Sequence, residues 1–192
     1  MEKIVFMDRD GTLNREVHYL HKTEDLELFE DVPEGIRRLN EKGFRVVVVT
    51  NQAGVARGYY GEEDVETLHR YMNEVLGRQG AHVDKFFYCP HHPEHGIGAY
   101  KVECECRKPK TGMFRMAERV YDVDKKHSYM IGDKLIDTQA GKKYGVSSIL
   151  VGTGYGEEFY EKVCSGEEEK NFDFYGRTFR EAVDWILEQE KE

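Results

Sequence analysis

The chain has 192 residues, 34% of them charged and 39% hydrophobic, which is enough for one domain with a hydrophobic core but short for two. Its formal net charge of −9 argues against a broad nucleic-acid interface, because phosphate backbones are bound by clustered Lys and Arg. No apolar run approaches the roughly 20 residues that cross a bilayer and no signal peptide is visible, so we expect a cytoplasmic protein without a membrane partner.

Strand-like and helix-like segments alternate from the first residues to the last. Short apolar or β-branched runs predict strands at 3–7, 45–50, 85–88, 128–131 and 148–151. Apolar residues at helical spacing predict helices at 33–43, 62–78, 113–121, 137–144 and 179–189. This alternation indicates an α/β fold with a mostly parallel sheet flanked by helices. Because we find neither an internal repeat nor a boundary, we expect a single domain over 1–192, with a mobile acidic tract at 157–170.

Two aspartates follow directly on the first predicted strand, in the run Asp8-Arg9-Asp10-Gly11-Thr12. Ligands of open α/β sheets bind outside the carboxyl ends of the strands. Two close carboxylates repel each other unless a hard cation such as Mg²⁺ takes oxygen ligands from them. One aspartate can then act as a nucleophile while the other transfers protons, although an ordinary acidic turn produces the same pattern.

Two more predicted strands end in polar residues, in the runs Thr50-Asn51-Gln52 and Gly132-Asp133-Lys134. Because the ends of parallel strands meet at one edge, we expect a hydroxyl, backbone N–H groups and a third carboxylate beside the two aspartates. The basic run Arg107-Lys108-Pro109-Lys110 precedes a helix and offers positive charge to a phosphoryl group. Which of its lysines points inward stays open from the residues alone, and a solvated basic patch is the alternative.

Three of the four cysteines fall in the irregular segment 89–110, beside several histidines. With one histidine they form a ligand set of Cys89, His91, Cys104 and Cys106. Three thiolates and one imidazole are typical of a closed tetrahedral zinc site, which has a structural and not a catalytic role. His92 and His95 compete with His91 for the nitrogen position. Buried free thiols beside surface histidines are the alternative to a metal.

Two residues outside these motifs are further candidates for contact with a substrate. His18 lies in the loop directly after the two aspartates and can cover the site. Arg57 follows the second predicted strand and can reach an anionic substrate. Although the chain is acidic overall, a local gathering of basic residues allows a small anion to bind.

Together these motifs resemble the haloacid dehalogenase superfamily, whose phosphatases combine a D-x-D loop, a Ser or Thr after the second strand, a lysine and a later acidic motif. The added Cys/His segment is similar to that of its heptose-bisphosphate phosphatases, and histidinol-phosphate phosphatases share the pattern. The resemblance spans about 1–156. It implies a Rossmann-like sheet with helices on both faces, no large cap domain and a zinc-stabilised loop at 89–106.

The resemblance also implies roles for individual residues. Asp8 would be the nucleophile and Asp10 the general acid and base, while Thr50 and Lys108 would hold the phosphoryl oxygens. Mg²⁺ would take the Asp8 carboxylate, the Asp10 carbonyl and Asp133, and Zn²⁺ would take the Cys/His set. The expected substrate contacts are Asn51, Arg107, His18, Arg57 and Lys110.

The substrate implied by the resemblance is a small phosphorylated sugar, heptose 1,7-bisphosphate, cleaved at C7. Histidinol phosphate is the alternative substrate, and a zinc-stabilised module that only binds a cation is the alternative without catalysis. The sequence is silent on the preferred sugar anomer and on oligomeric state, for which a monomer is favoured.

Overall fold

The computed structural model describes residues 1–191 and contains one sheet whose strand pairs are all parallel. The strands are β1 Ile4–Met7, β2 Arg45–Asn51, β3 Lys85–Cys89, β4 Tyr129–Gly132, β5 Ser147–Val151 and β6 Phe174–Gly176. Their order across the sheet is β3-β2-β1-β4-β5-β6. The order reverses direction between β1 and β4, which is where open α/β sheets bind ligands. The predicted parallel α/β fold is confirmed.

Helices cover both faces of this sheet. They are α1 Val32–Glu41, α2 Ala53–Ala56, α3 Glu62–Gly77, α4 Gly112–Glu118, α5 Leu135–Tyr144, α6 Gly156–Ser165 and α7 Phe179–Gln189. Apolar residues of α1, α3 and α7 pack in one hydrophobic cluster, and those of α4 and α5 pack in a second. None of these helices within 1–191 is long and apolar enough to cross a membrane.

The central strand β1 shows why its sequence is apolar at every position. Val5 and Met7 belong to the first cluster, whereas Ile4 and Phe6 belong to the second. Successive side chains of a strand point to opposite faces, so a strand covered on both sides needs an unbroken apolar run. Because β1 is buried on both faces, it fixes the backbone position of Asp8, which follows it directly.

The prediction of a mobile acidic tract at 157–170 is wrong for its first part, which forms α6. Phe159, Tyr160 and Val163 pack against a cluster that contains Leu150 and Phe172. The abundance of acidic residues on the exposed side hid this apolar face. The sequence analysis also missed the edge strand β6, which has only three residues.

Candidate active site

Polar residues at the carboxyl ends of the strands line a cleft of about 250 Å³. Asp8 and Asp10 follow β1, Thr50 lies near the end of β2, and Lys134 follows β4. Asp137, in the first turn of α5, also lines the cleft. The structure thus brings the predicted strand-end motifs together at one edge, because all the strands run in the same direction.

Asp8, Asp133 and Asp137 form a cluster of three buried carboxylates, with one oxygen from each lying within 4.8 Å of the others. Burial raises the pKa of Asp133 well above its usual range, and the negative charges of Asp8 and Asp137 raise it further. Crowded carboxylates of this kind offer the hard oxygen donors that Mg²⁺ prefers. The donor set therefore fits magnesium.

Lys108 places its ammonium within this acidic cluster. Its Nζ lies 2.8 Å from Oδ1 of Asp8 and 2.7 Å from Oδ1 of Asp137, and it donates to the Val49 carbonyl at 2.7 Å. Burial alone lowers the pKa of Lys108, but the charges of Asp137 and Asp8 outweigh burial and raise this pKa above its usual value. Lys108 is therefore a buried cation at the centre of the site.

The side chain of Asn51 anchors the loop that carries Lys108. Its Nδ2 donates to the carbonyl of Lys108 at 3.2 Å, and its Oδ1 accepts from the Lys108 N–H at 3.0 Å. These paired hydrogen bonds tie the basic run to the end of β2. Lys110 points elsewhere, because its Nζ contacts Glu103 at 2.6 Å and Glu105 at 3.3 Å.

Asp10 lies in a different environment from the other aspartates of the site. Its Oδ1 accepts from Arg9 Nε at 3.1 Å and from Asn14 at 3.0 Å, and its Oδ2 accepts from Arg9 at 3.0 Å and from Gln52 at 3.1 Å. Burial alone raises the pKa of Asp10, but the Arg9 charge and these hydrogen bonds outweigh burial and lower the pKa below its usual value. The carboxylate is therefore held in its ionised form.

Gly11 allows the loop after β1 to approach Asp133. Its φ is +80°, and a Cβ at this position would lie 2.2 Å from Oδ2 of Asp133. The same oxygen accepts from the Tyr155 N–H at 3.0 Å. Only glycine permits both this backbone conformation and this close contact.

The sulfur atoms of Cys89, Cys104 and Cys106 and the ring of His91 form a second cluster, whose ligand atoms lie within 4.8 Å of one another. His91 Nδ1 lies 3.3 Å from the sulfur of Cys106. His92 Nδ1 is engaged elsewhere, since it accepts from the N–H groups that follow it at positions 94 and 95. Three sulfurs and one imidazole nitrogen fit zinc.

The other predicted site residues fall into two groups. Thr50, Arg107 and His18 line the cleft with the aspartates. Within the described part of the chain, Arg57 and Lys110 lie outside that lining.

Sequence reasoning missed Asp137 and the buried partners of Asp10. The spacing of Asp137, four residues after Asp133 at the start of a helix, was a usable signal. The burial of Arg9 and the direction of the Gln52 side chain depend on distant residues and left no such signal.

Comparison with known proteins connects this geometry with a family. A family model described as HAD-hydrolase-like matches residues 105–172. D-glycero-beta-D-manno-heptose-1,7-bisphosphate 7-phosphatase of Haemophilus ducreyi is 40% identical over 187 residues, which are 96% of this chain and 98% of that relative. A similar solved structure is that of D,D-heptose 1,7-bisphosphate phosphatase from B. bronchiseptica, complexed with magnesium and phosphate. The two sequences are 30% identical, and the structures superpose with a TM-score of 0.83. The match covers 97% of this chain and 99% of that one.

The parallel sheet and the acidic cluster at its edge are those of a hydrolase of the haloacid dehalogenase superfamily. Relatives of 38 to 40% identity match almost the whole chain, including one from Escherichia coli K12 at 38% over 184 residues. Within that superfamily, the chain belongs to the family of the D-glycero-D-manno-heptose-1,7-bisphosphate 7-phosphatases. The family resemblance seen in the sequence is confirmed.

Proposed function

We propose that this chain is a Mg²⁺-dependent phosphatase that removes the C7 phosphate of D-glycero-D-manno-heptose 1,7-bisphosphate. The observation that carries the proposal is the buried Lys108 ammonium between Asp8 and Asp137, at the edge where the sheet order reverses. A fixed cation beside a carboxylate nucleophile is what a phosphoryl group requires. The names of the relatives support the choice of substrate.

Two metal ions fit the donor sets of the chain. Mg²⁺ would be held by the carboxylates of Asp8 and Asp133 and by the Asp10 carbonyl. When bound, it would reduce the repulsion between the attacking carboxylate and the phosphate. Zn²⁺ would be held by the Cys/His cluster and would stabilise the loop at 89–106 within a single domain over 1–192.

The first chemical step is an in-line attack by a carboxylate oxygen of Asp8 on phosphorus. The new O–P bond gives an aspartyl-phosphate, while the bond from phosphorus to the sugar oxygen breaks and its electron pair stays on that oxygen. Asp10 in its protonated form donates the proton that the sugar oxygen needs. Thr50 and Lys108 hold the phosphoryl oxygens, on which negative charge is spread in the transition state.

The second step releases phosphate. Asp10, now a carboxylate, takes a proton from water, and the water oxygen attacks phosphorus. The bond to Asp8 breaks, which regenerates the nucleophile. The proton that Asp10 gives to the sugar oxygen in the first step is thus returned to it from water in the second, whereas the hydrogen bonds of Asp10 favour its ionised form in the resting protein.

Recognition of the rest of the substrate falls to other residues of the cleft. Arg107 lines the cleft and also contacts the carbonyl of His91 at 3.4 Å, so it connects the Cys/His loop with the substrate pocket. A guanidinium suits the second phosphate of a sugar bisphosphate. His18 at the rim is a second contact, whereas Asn51 acts through the backbone of Lys108.

Kinetics with competing substrates test this proposal. We expect kcat/KM for C7 cleavage of heptose 1,7-bisphosphate, measured with both anomers, to exceed that for histidinol phosphate by at least about a hundredfold, roughly 2.7 kcal/mol. If histidinol phosphate were preferred, the proposed phosphatase reaction would stand, but its substrate would be histidinol phosphate. Failure to hydrolyse any phosphomonoester with Mg²⁺ present would instead favour a cation-binding module.

A further inference from the structure

Arg9, the residue between the two aspartates of the D-x-D motif, is completely buried and is the largest side chain in the described residues with that degree of burial. A buried charge is costly unless it is paired and its hydrogen-bonding groups are satisfied. Within 1–191 the carboxylate that pairs with Arg9 is that of Asp10. Because the side chain is buried, neither solubility nor surface charge explains an arginine at this position.

The guanidinium of Arg9 joins Asp10 to three other parts of the chain. Its NH2 group lies 3.1 Å from both the Leu20 carbonyl and Oε1 of Gln52, in addition to Oδ2 of Asp10. Its NH1 group lies 3.1 Å from Nε2 of His69, which belongs to α3. The planar fork of arginine thus has a partner on each side.

The contact with His69 determines which ring nitrogen carries the proton. A guanidinium can only donate, so Nε2 of His69 must accept and the neutral ring carries its proton on Nδ1. Burial, with a further contribution from the Arg9 charge, lowers the pKa of His69 to about 3, in agreement with a neutral ring. The ring also stacks on Phe86 with centroids 4.4 Å apart.

We propose that Arg9 and His69 are positioning residues for Asp10: His69 orients the guanidinium, and the guanidinium orients the Asp10 carboxylate for proton transfer. This inference rests on the proposed role of Asp10 as the acid that protonates the leaving group. A purely structural link between α3 and the loop after β1 is the competing explanation. The two differ in their effect on the reaction, because only positioning selectively impairs substrates whose leaving group needs a proton.

Two substitutions separate the hydrogen bond of His69 from its packing. His69→Phe keeps the aromatic stacking on Phe86 but removes the acceptor, whereas His69→Gln keeps an acceptor but removes the ring. Met72→Ala is the matched control, because Met72 is a buried residue of the same helix that packs in the first hydrophobic cluster. The substrates are phenyl phosphate and 4-nitrophenyl phosphate, which are similar in size but differ in the stability of the departing anion.

The measured quantity is kcat/KM for each ester, since it reports the step in which the leaving group departs. We expect the ratio of 4-nitrophenyl to phenyl phosphate hydrolysis to rise about tenfold in His69→Phe and to stay within about twofold of wild type in His69→Gln and Met72→Ala. An unchanged ratio in His69→Phe, or the same rise in Met72→Ala, would overturn the inference while leaving the phosphatase intact. Wild-type protein that hydrolyses neither these esters nor heptose 1,7-bisphosphate with Mg²⁺ would overturn the proposed function, and this inference with it.

A measurement on the wild-type protein covers the case in which His69→Phe does not fold. Nitrogen NMR at neutral pH should show His69 with an unprotonated Nε2 and a proton on Nδ1. A proton on Nε2 would contradict the hydrogen bond from Arg9 and overturn the positioning role.

Discussion

The carboxylate cluster and the Cys/His cluster are built in different ways. Asp8 follows a fully buried strand, Asp133 follows β4, and Asp137 lies in the first turn of α5, so packed elements position all three. Of the Cys/His set, only Cys89 lies on a strand, and the other three lie in the irregular segment after it. The acidic site is therefore positioned by packed strands and a helix, whereas three of the four Cys/His ligands lie on irregular backbone, even though Cys89 and Cys106 are buried in the second hydrophobic cluster.

The two clusters also differ in how their charge is balanced. Lys108 brings a permanent cation into the acidic cluster, where it contacts Asp8 and Asp137. Among the residues described, the thiol and imidazole groups of the second cluster contact mainly one another. The acidic cluster thus contains its own counter-charge, whereas we expect the Cys/His loop to depend on the proposed Zn²⁺ for its order. Changes in the acidic cluster should therefore affect rate, and changes in the Cys/His cluster should affect stability first.

The largest expected effect is that of Asp8→Asn. The amide is nearly isosteric but a poor nucleophile, so we expect kcat to fall by more than about a thousandfold, roughly 4 kcal/mol, with the fold retained. Steady-state kinetics and circular dichroism measure the two properties. Asp122→Asn is the control, since its side chain is 81% exposed. Activity of Asp8→Asn within about tenfold of wild type would exclude Asp8 as the nucleophile.

The next largest loss of activity is expected at Lys108, and Lys110 in the same run is its matched comparison. Lys108→Met should lower kcat/KM by about a hundredfold or more, because it removes the cation that faces the phosphoryl oxygens. Lys110→Met should stay within about threefold of wild type, since Lys110 contacts exposed glutamates. Thermal unfolding of both variants checks that the lost charge has not unfolded the protein. If both variants lost activity equally, Lys108 would not be the cation that faces the phosphoryl oxygens.

A smaller loss of activity, but a larger loss of stability, is expected for Cys104→Ser. Zinc measured by elemental analysis should fall from about one ion per chain to nearly none, and the midpoint of thermal unfolding should fall with it. We expect activity to fall only about tenfold, through loosening of the loop that carries Arg107 and Lys108. Cys164→Ser is the matched control, because that thiol is exposed and lies outside the cluster. Wild-type protein prepared without chelators that contains no zinc would refute the site.

The smallest effect should come from His92→Ala. Because the cluster of ligand atoms contains His91 and not His92, this variant should keep its zinc and most of its activity. His91→Ala, by contrast, should lose zinc. Elemental analysis of the two variants shows which histidine binds zinc. If His92→Ala lost zinc and His91→Ala kept it, His92 would be the nitrogen ligand and the metal site itself would stand.

Local sequence patterns predict five of the six strands and most of the residues at the functional edge. Unbroken apolar runs such as 46–49 can be buried only between two layers, so they indicate a parallel sheet with helices on both faces. Polar residues directly after such strands then meet at one edge. The Cys and His spacing likewise identified the second cluster, since both are local patterns. The roles of these residues remain predictions until the substitutions are made.

Which of two neighbouring side chains points into the site depends on the tertiary structure. Lys108 rather than Lys110 reaches Asp8, a contact between residues 100 positions apart. Arg9 is buried where α3 packs against the loop after β1, and its guanidinium contacts His69, a residue 60 positions further along the chain. Adjacent residues in irregular loops have no periodicity that assigns their directions, so the choice depends on the backbone path and on partners that folding brings together.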